Sequence, residues 1–106
     1  MNMRSYIISR VSRGGIHQAA ETMGILSDPT RVRILKLLFR NREGMCVYEI
    51  AKEVGSSPSA TSHQLAKLEA RGIVFCYREG QKMCYELTDG SLVLRIEKIL
   101  RVLSVL

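Results

Sequence analysis

Apolar positions recur at helical spacing through the first two thirds of the chain, switch to alternation, and return to helical spacing at the end. Residues 16–26 predict a helix. A short amphipathic segment at residues 3–11 precedes it, with Gly14-Gly15 as a flexible joint between the two. Ser27-Asp28-Pro29 then predicts a new start, because Asp28 can cap a helix and proline suits its first turn. Val32, Ile34, Leu35, Leu37 and Leu38 make this second helix strongly apolar, and Asn41 to Gly44 reads as a turn. A short helix over Val47 to Val54 stops at Gly55. The next opens on Ser57-Pro58, carries Ala60 or Thr61, Leu65 and Leu68 on its apolar side, and closes at Gly72. Residues 73–78 and 82–87 alternate and are rich in β-branched and aromatic side chains, with a turn over Glu79-Gly80-Gln81, so they predict a hairpin. The final helix is expected from Ser91 to the end of the sequence, capped by Thr88 or Asp89.

Helices, a hairpin and a last helix in this order predict a mainly α fold with one β-hairpin, a winged helix-turn-helix. The 106 residues suit a single domain. Within it, residues 1–14 form an N-terminal arm, 47–72 the helix-turn-helix, 73–88 the wing and 89–106 a dimerisation helix. In such a unit the second helix enters the major groove with its N-terminal residues leading. Here Ser57, Ser59, Ala60, Ser62, His63 and Gln64 lead, with Lys67 behind them and no acid before Glu69. Small residues let a helix approach a duplex closely, and its N-terminal N–H groups favour phosphate. Ser59, Ser62, His63 and Gln64 are the expected readers of base edges. Arg78, Gln81 and Lys82 at the wing tip suit a minor groove or flanking phosphates, with Glu79 offsetting part of that charge. Leu92, Ile96, Ile99, Leu100, Leu103 and Leu106 form a wide apolar stripe on the last helix, and a second copy is the expected cover for it.

Charge agrees with this reading. Sixteen Lys plus Arg against ten Asp plus Glu give a net +6, which favours an anionic partner. No apolar run approaches the roughly 20 residues of a membrane span, and the N-terminus lacks a secretory apolar stretch. No membrane partner is therefore expected. Three cysteines at wide spacing with no Cys-x-x-Cys motif are not a disulfide framework, so a reducing, cytoplasmic setting is expected. Cys46 stands at the cap of the helix that begins at Val47, where the helix dipole favours a thiolate. It lacks an acid–base partner, so no catalytic residue is assigned and an enzyme is not expected. Cys76 and Cys84 face each other across the hairpin only if its loop has three residues, and could then form a redox pair or bind a soft metal; with two or four they do not, and ordinary strand residues are the alternative reading.

The chain resembles the ArsR/SmtB family of repressors. The residues that carry the resemblance are Leu26 to Leu35 (LSDPTRVRIL), Val47 to Ala51 (VYEIA), Ser59 to Leu68 (SATSHQLAKL), Arg71 to Val74 and Arg78 to Leu87 (REGQKMCYEL). The resemblance implies a homodimer built on the first and last helices, a pseudo-palindromic double-stranded DNA site, and repression relieved by an effector, often a metal ion. The family's metal motif Glu-Leu-Cys-Val-Cys-Asp-Leu aligns with Gly44 to Ile50: Cys46 keeps the first cysteine, and Tyr48 replaces the second. The family's other ligand set is kept only at Asp89, with Ser91, Val102 and Val105 at the remaining places. Cys46 is thus the one candidate ligand for a thiophilic metal or metalloid effector, although one thiolate cannot hold such an ion by itself; a redox effector and a buried, inert Cys46 stay open as alternatives, and no resident cofactor is assigned. The alternative is a winged-helix module that contacts protein and has no preference among duplexes.

Overall fold

Local capping chemistry sets the helix starts. In the computed structural model, which describes the backbone of residues 3–106 and the side chains of residues 15–106, Asp28 is extended and its carboxylate accepts the Thr30 N–H at 2.8 Å. Pro29 follows as the first residue of its helix. Ser57 does the same one motif later, accepting the Ala60 N–H at 3.1 Å ahead of Pro58. Glu49 reaches back to accept the Cys46 N–H at 3.0 Å, which ties down the start at Val47. The resulting order is α1 (Met3–Leu26), α2 (Pro29–Arg40), β1 (Met45–Cys46), α3 (Val47–Val54), α4 (Pro58–Ala70), β2 (Val74–Glu79), β3 (Lys82–Leu87) and α5 (Ser91–Val102).

Three helix ends differ from the sequence expectation. α1 runs through Gly14-Gly15 without a break: interior glycine costs a helix about 1 kcal/mol against alanine but does not terminate it. The side chains of the expected arm, residues 1–14, lie outside the described residues. α5 is capped by Gly90 and not by Thr88 or Asp89. The Thr88 hydroxyl donates instead to the Gly72 carbonyl at 2.7 Å and ties the base of the hairpin to the end of α4. α5 also stops at Val102, and the last residues fold back, with Val105 and Leu106 N–H both directed to the Leu100 carbonyl.

The sheet has three strands in the order β1-β3-β2, all antiparallel. Glu79 pairs with Lys82, so the hairpin loop holds only Gly80 and Gln81. Gly80 has φ +66° at the first loop position, the pattern of a type II′ turn. This two-residue loop places Cys76 opposite Tyr85, not opposite Cys84. The third strand, β1, escapes the sequence reading; it sets Met45 opposite Tyr85 and Cys46 opposite Cys84.

One core joins every element after α1 and takes Ile25 from α1 itself. Ile34, Leu35 and Leu38 of α2, Ile50 of α3, and Leu65 and Leu68 of α4 are all closed to solvent. The stripe on α5 divides. Ile96 and Leu100 are 0% and 1% exposed and pack with Val93 into the chain's own core, so they are not free to contact a second copy. This corrects their assignment to the subunit interface. Leu92, Ile99 and Leu106 are half-buried, and Leu103 is exposed. Among the described residues, exposed large apolar side chains occur on the terminal elements, at Ile16 and Met23 of α1 and at Leu94, Val102 and Leu103 on or just after α5, and also at Tyr48 of α3, Phe75 of β2 and Met83 of β3. Among the described residues no helix is long and apolar enough to cross a membrane.

Candidate nucleic-acid interface

Three inward residues orient α4. Thr61, Leu65 and Leu68, at spacings of four and three, are buried. Their opposite face carries Ser59, Ala60, Ser62, His63 and Lys67, all exposed, with Ser57 exposed at the cap. The helix start thus presents small and polar groups to solvent, as the sequence predicts. Arg78, Gln81 and Lys82 are likewise exposed at the hairpin tip.

Gln64 is held differently from the other residues expected to read bases. It is half-buried, its amide nitrogen donates to Asp28 Oδ2 at 2.8 Å, and its oxygen accepts from Arg31 Nη1 at 3.1 Å. Arg31 also donates to the carbonyls of Gly24 and Ile25, at 3.0 and 2.9 Å. The Thr30 N–H bond holds the Asp28 carboxyl below the usual aspartate range, with the Gln64 amide and the Arg31 charge adding to it. Both ends of the Gln64 amide are therefore engaged in a joint between the end of α1, the start of α2 and α4. Replacing Gln64 by alanine is expected to lower unfolding free energy by about 1–3 kcal/mol, since two partly buried partners lose their bond. Duplex binding should then weaken equally on all sequences. Denaturant unfolding and a panel of single-base duplex variants measure the two effects, and a loss confined to one base position would restore Gln64 to the reading face.

The starts of α3 and α4 and the hairpin tip enclose an open cleft of about 930 Å³. Ser59 and Ser62 line one wall and Gln81 and Lys82 another. Ser57, Ala60, His63, Lys67 and Arg78 are exposed but do not line it. Cys46 and Cys84 are joined by a cross-strand disulfide, 38 residues apart in sequence, and Cys46 lines the cleft. The sequence reading left Cys46 without a partner, because a two-residue strand has no periodicity to announce the pairing. Glu79 Oε2 is 3.9 Å from each sulfur. Cys76 is the free cysteine, half-buried beside Tyr85. Burial first, and then the hydrogen bond with Cys76, push the Tyr85 phenol up to about 12.

The donor atoms of Cys46, Glu79 and Cys84 all lie within 4.8 Å of one another. Two sulfurs and a carboxylate suit a soft divalent cation once the sulfurs are reduced. The set at the last helix does not fit a metal: Asp89 is exposed, the valines at 102 and 105 offer no donor, and Val102 is 82% exposed.

Residues 28–74 match the family described as bacterial regulatory protein, arsR family. The chain is 36% identical over 87 residues to the uncharacterized HTH-type transcriptional regulator MJ1325 of Methanocaldococcus jannaschii, covering 82% of this chain and 92% of that protein. It is 36% identical over 76 residues to the transcriptional repressor SmtB homolog of Synechocystis sp., covering 72% of this chain but only 56% of that relative's length. Among solved structures, the homodimeric winged helix-turn-helix DNA-binding domain of Mb0332 from Mycobacterium bovis superposes with a TM-score of 0.69 at 26% identity, covering 89% of this chain and 84% of that one.

Proposed function

The chain belongs to the arsR family of bacterial regulatory proteins, and from that premise we propose that it is a cytoplasmic, homodimeric repressor of transcription that binds a pseudo-palindromic duplex site and is released by a thiophilic metal or metalloid effector. The observation that carries this reading is the exposed, acid-free start of α4 standing next to a basic hairpin tip. Ser59, Ser62 and His63 read base edges. Lys67, Arg78 and Lys82 hold phosphates, Ser57 and Ala60 give close approach, and Gln81 contacts the flanking groove. Homodimerisation is supported by the exposed apolar residues Ile16 and Met23 on α1 and Leu94, Val102 and Leu103 on or just after α5, and by the homodimeric state of the Mycobacterium bovis domain. Leu92, Ile99 and Leu106 border that surface.

Selection of bound duplexes from a random pool tests the reading. An inverted repeat with half-sites about one helical turn apart is expected. His63→Ala should then lose about 1–3 kcal/mol of discrimination at one position in each half-site. A pool that returns no shared sequence would leave the fold as a protein-contact module and end the repressor reading.

A further inference from the structure

We infer that Cys46, Cys84 and Glu79 form a binding site for a soft divalent cation of the cadmium and zinc class, and that this site receives the effector; its regulatory role rests on the repressor reading above. The three donors come from the three strands of one sheet. Cys46 ends β1, Cys84 lies directly opposite it in β3 with the Cα atoms 3.8 Å apart, and Glu79 ends β2. Both cysteines are buried, at 7% and 0% exposure, so the backbone holds the sulfurs in place. The Glu79 carboxylate stands over the pair at 3.9 Å from each. Three groups that are anionic when deprotonated cannot share so small a volume without a counter-charge, and one divalent cation supplies it. Thiolates select soft metals, and the start of α3 favours the thiolate of Cys46.

The disulfide and the cation exclude each other. A dithiol reductant transfers two electrons and two protons to the Cys46–Cys84 bond, leaving two thiols and closing its own disulfide. The cation then displaces both thiol protons, which pass to solvent. Cys46 and Glu79 line the open cleft, so ions would have access to them. The site also bridges two parts of the interface. Cys46 sits at the entry to the helix-turn-helix, whereas Glu79 and Cys84 belong to the hairpin whose tip carries Gln81 and Lys82. A bound cation therefore ties the hairpin to the start of α3, and through the packing of α3 on α4 it bears on the spacing between the reading helix and the wing.

The test uses the full chain, reduced and freed of reductant without oxygen, and titrated with cadmium chloride. The sulfur-to-cadmium charge-transfer absorption should rise to saturation at one cation per chain, with proton release. The oxidised protein should show none. Cys46→Ser and Cys84→Ser should each abolish tight binding, Glu79→Gln should weaken it by about tenfold or more, and Cys76→Ser should leave it unchanged. Because Cys84 is closed to solvent, the wild-type chain gives a second measurement that needs no substitution: cadmium should protect two of its three thiols from a thiol reagent. In a second arm, cadmium should lower the affinity of wild type, but not of Cys84→Ser, for the selected duplex. Absence of the absorption in reduced wild type, or its survival in Cys84→Ser, would overturn the site. Saturable binding with duplex affinity unmoved would overturn the effector role. A failed duplex selection removes the repressor reading while the titration is still decided on the free protein.

Discussion

Raising the salt from about 50 to 200 mM should weaken duplex binding by roughly a thousandfold or more, the loss that about six neutralised phosphates impose on B-DNA. Lys67, Arg78 and Lys82 are exposed on each chain, on the α4 face and at the hairpin tip. Two copies in one assembly bring about six such cations to the duplex, for a slope near −5 in the logarithm of affinity against the logarithm of salt. Lys82→Gln removes one contact per chain and should shallow that slope by about 2 while leaving the preferred sequence intact. Fluorescence anisotropy on labelled duplexes at stepped salt gives the slopes directly. A slope near zero would mean that the net +6 of the chain is spread as ordinary surface charge, and that α4 meets something other than a phosphate backbone.

Much of this interface is legible before any coordinates, because it depends on local chemistry. Asp28-Pro29 and Ser57-Pro58 announce helix starts through capping, and both caps are made as expected. What stays hidden depends on contacts distant in sequence. β1 has two residues and no pattern of its own; only its partner, about 40 residues later, makes it a strand. The pairing of Cys46 with Cys84, and the carboxylate beside them, are hidden for the same reason. Gln64 illustrates a subtler limit. It flanks the inward row of Thr61, Leu65 and Leu68, where a helical residue can turn either way, and Asp28 and Arg31 decide the direction. α5 fails similarly: from an apolar stripe this wide, periodicity cannot say that Ile96 and Leu100 serve the chain's own core.

Gly44→Ala should cost roughly 2–5 kcal/mol of folding stability, combining a backbone held at positive φ with an overpacked contact. Gly44 has φ +99°, a conformation that side chains rarely adopt. A Cβ there would collide with Tyr77 Oη and come within 3.0 Å of the Tyr85 carbonyl oxygen and 3.2 Å of Tyr77 Cε1. The phenol is held in that position by donating to the Glu43 carbonyl at 3.2 Å. Relief requires movement of either the phenol or the chain leading into β1, and the second would draw Met45 from Tyr85 and Cys46 from Cys84. For a domain of about 100 residues the Tm should fall by something on the order of 10–20 °C. Gly80→Ala is the control, since it also has positive φ but nothing lies within 4 Å of its Cβ. Tyr77→Phe separates the two contributions: it removes the collision with the hydroxyl and leaves the approach to the Tyr85 carbonyl, so Gly44→Ala should cost less in that background without becoming neutral. If Gly44→Ala proves no more damaging than Gly80→Ala, the close seating of β1 against β3 is not what holds this corner. The cysteine pair would then have to owe its alignment to α3 alone.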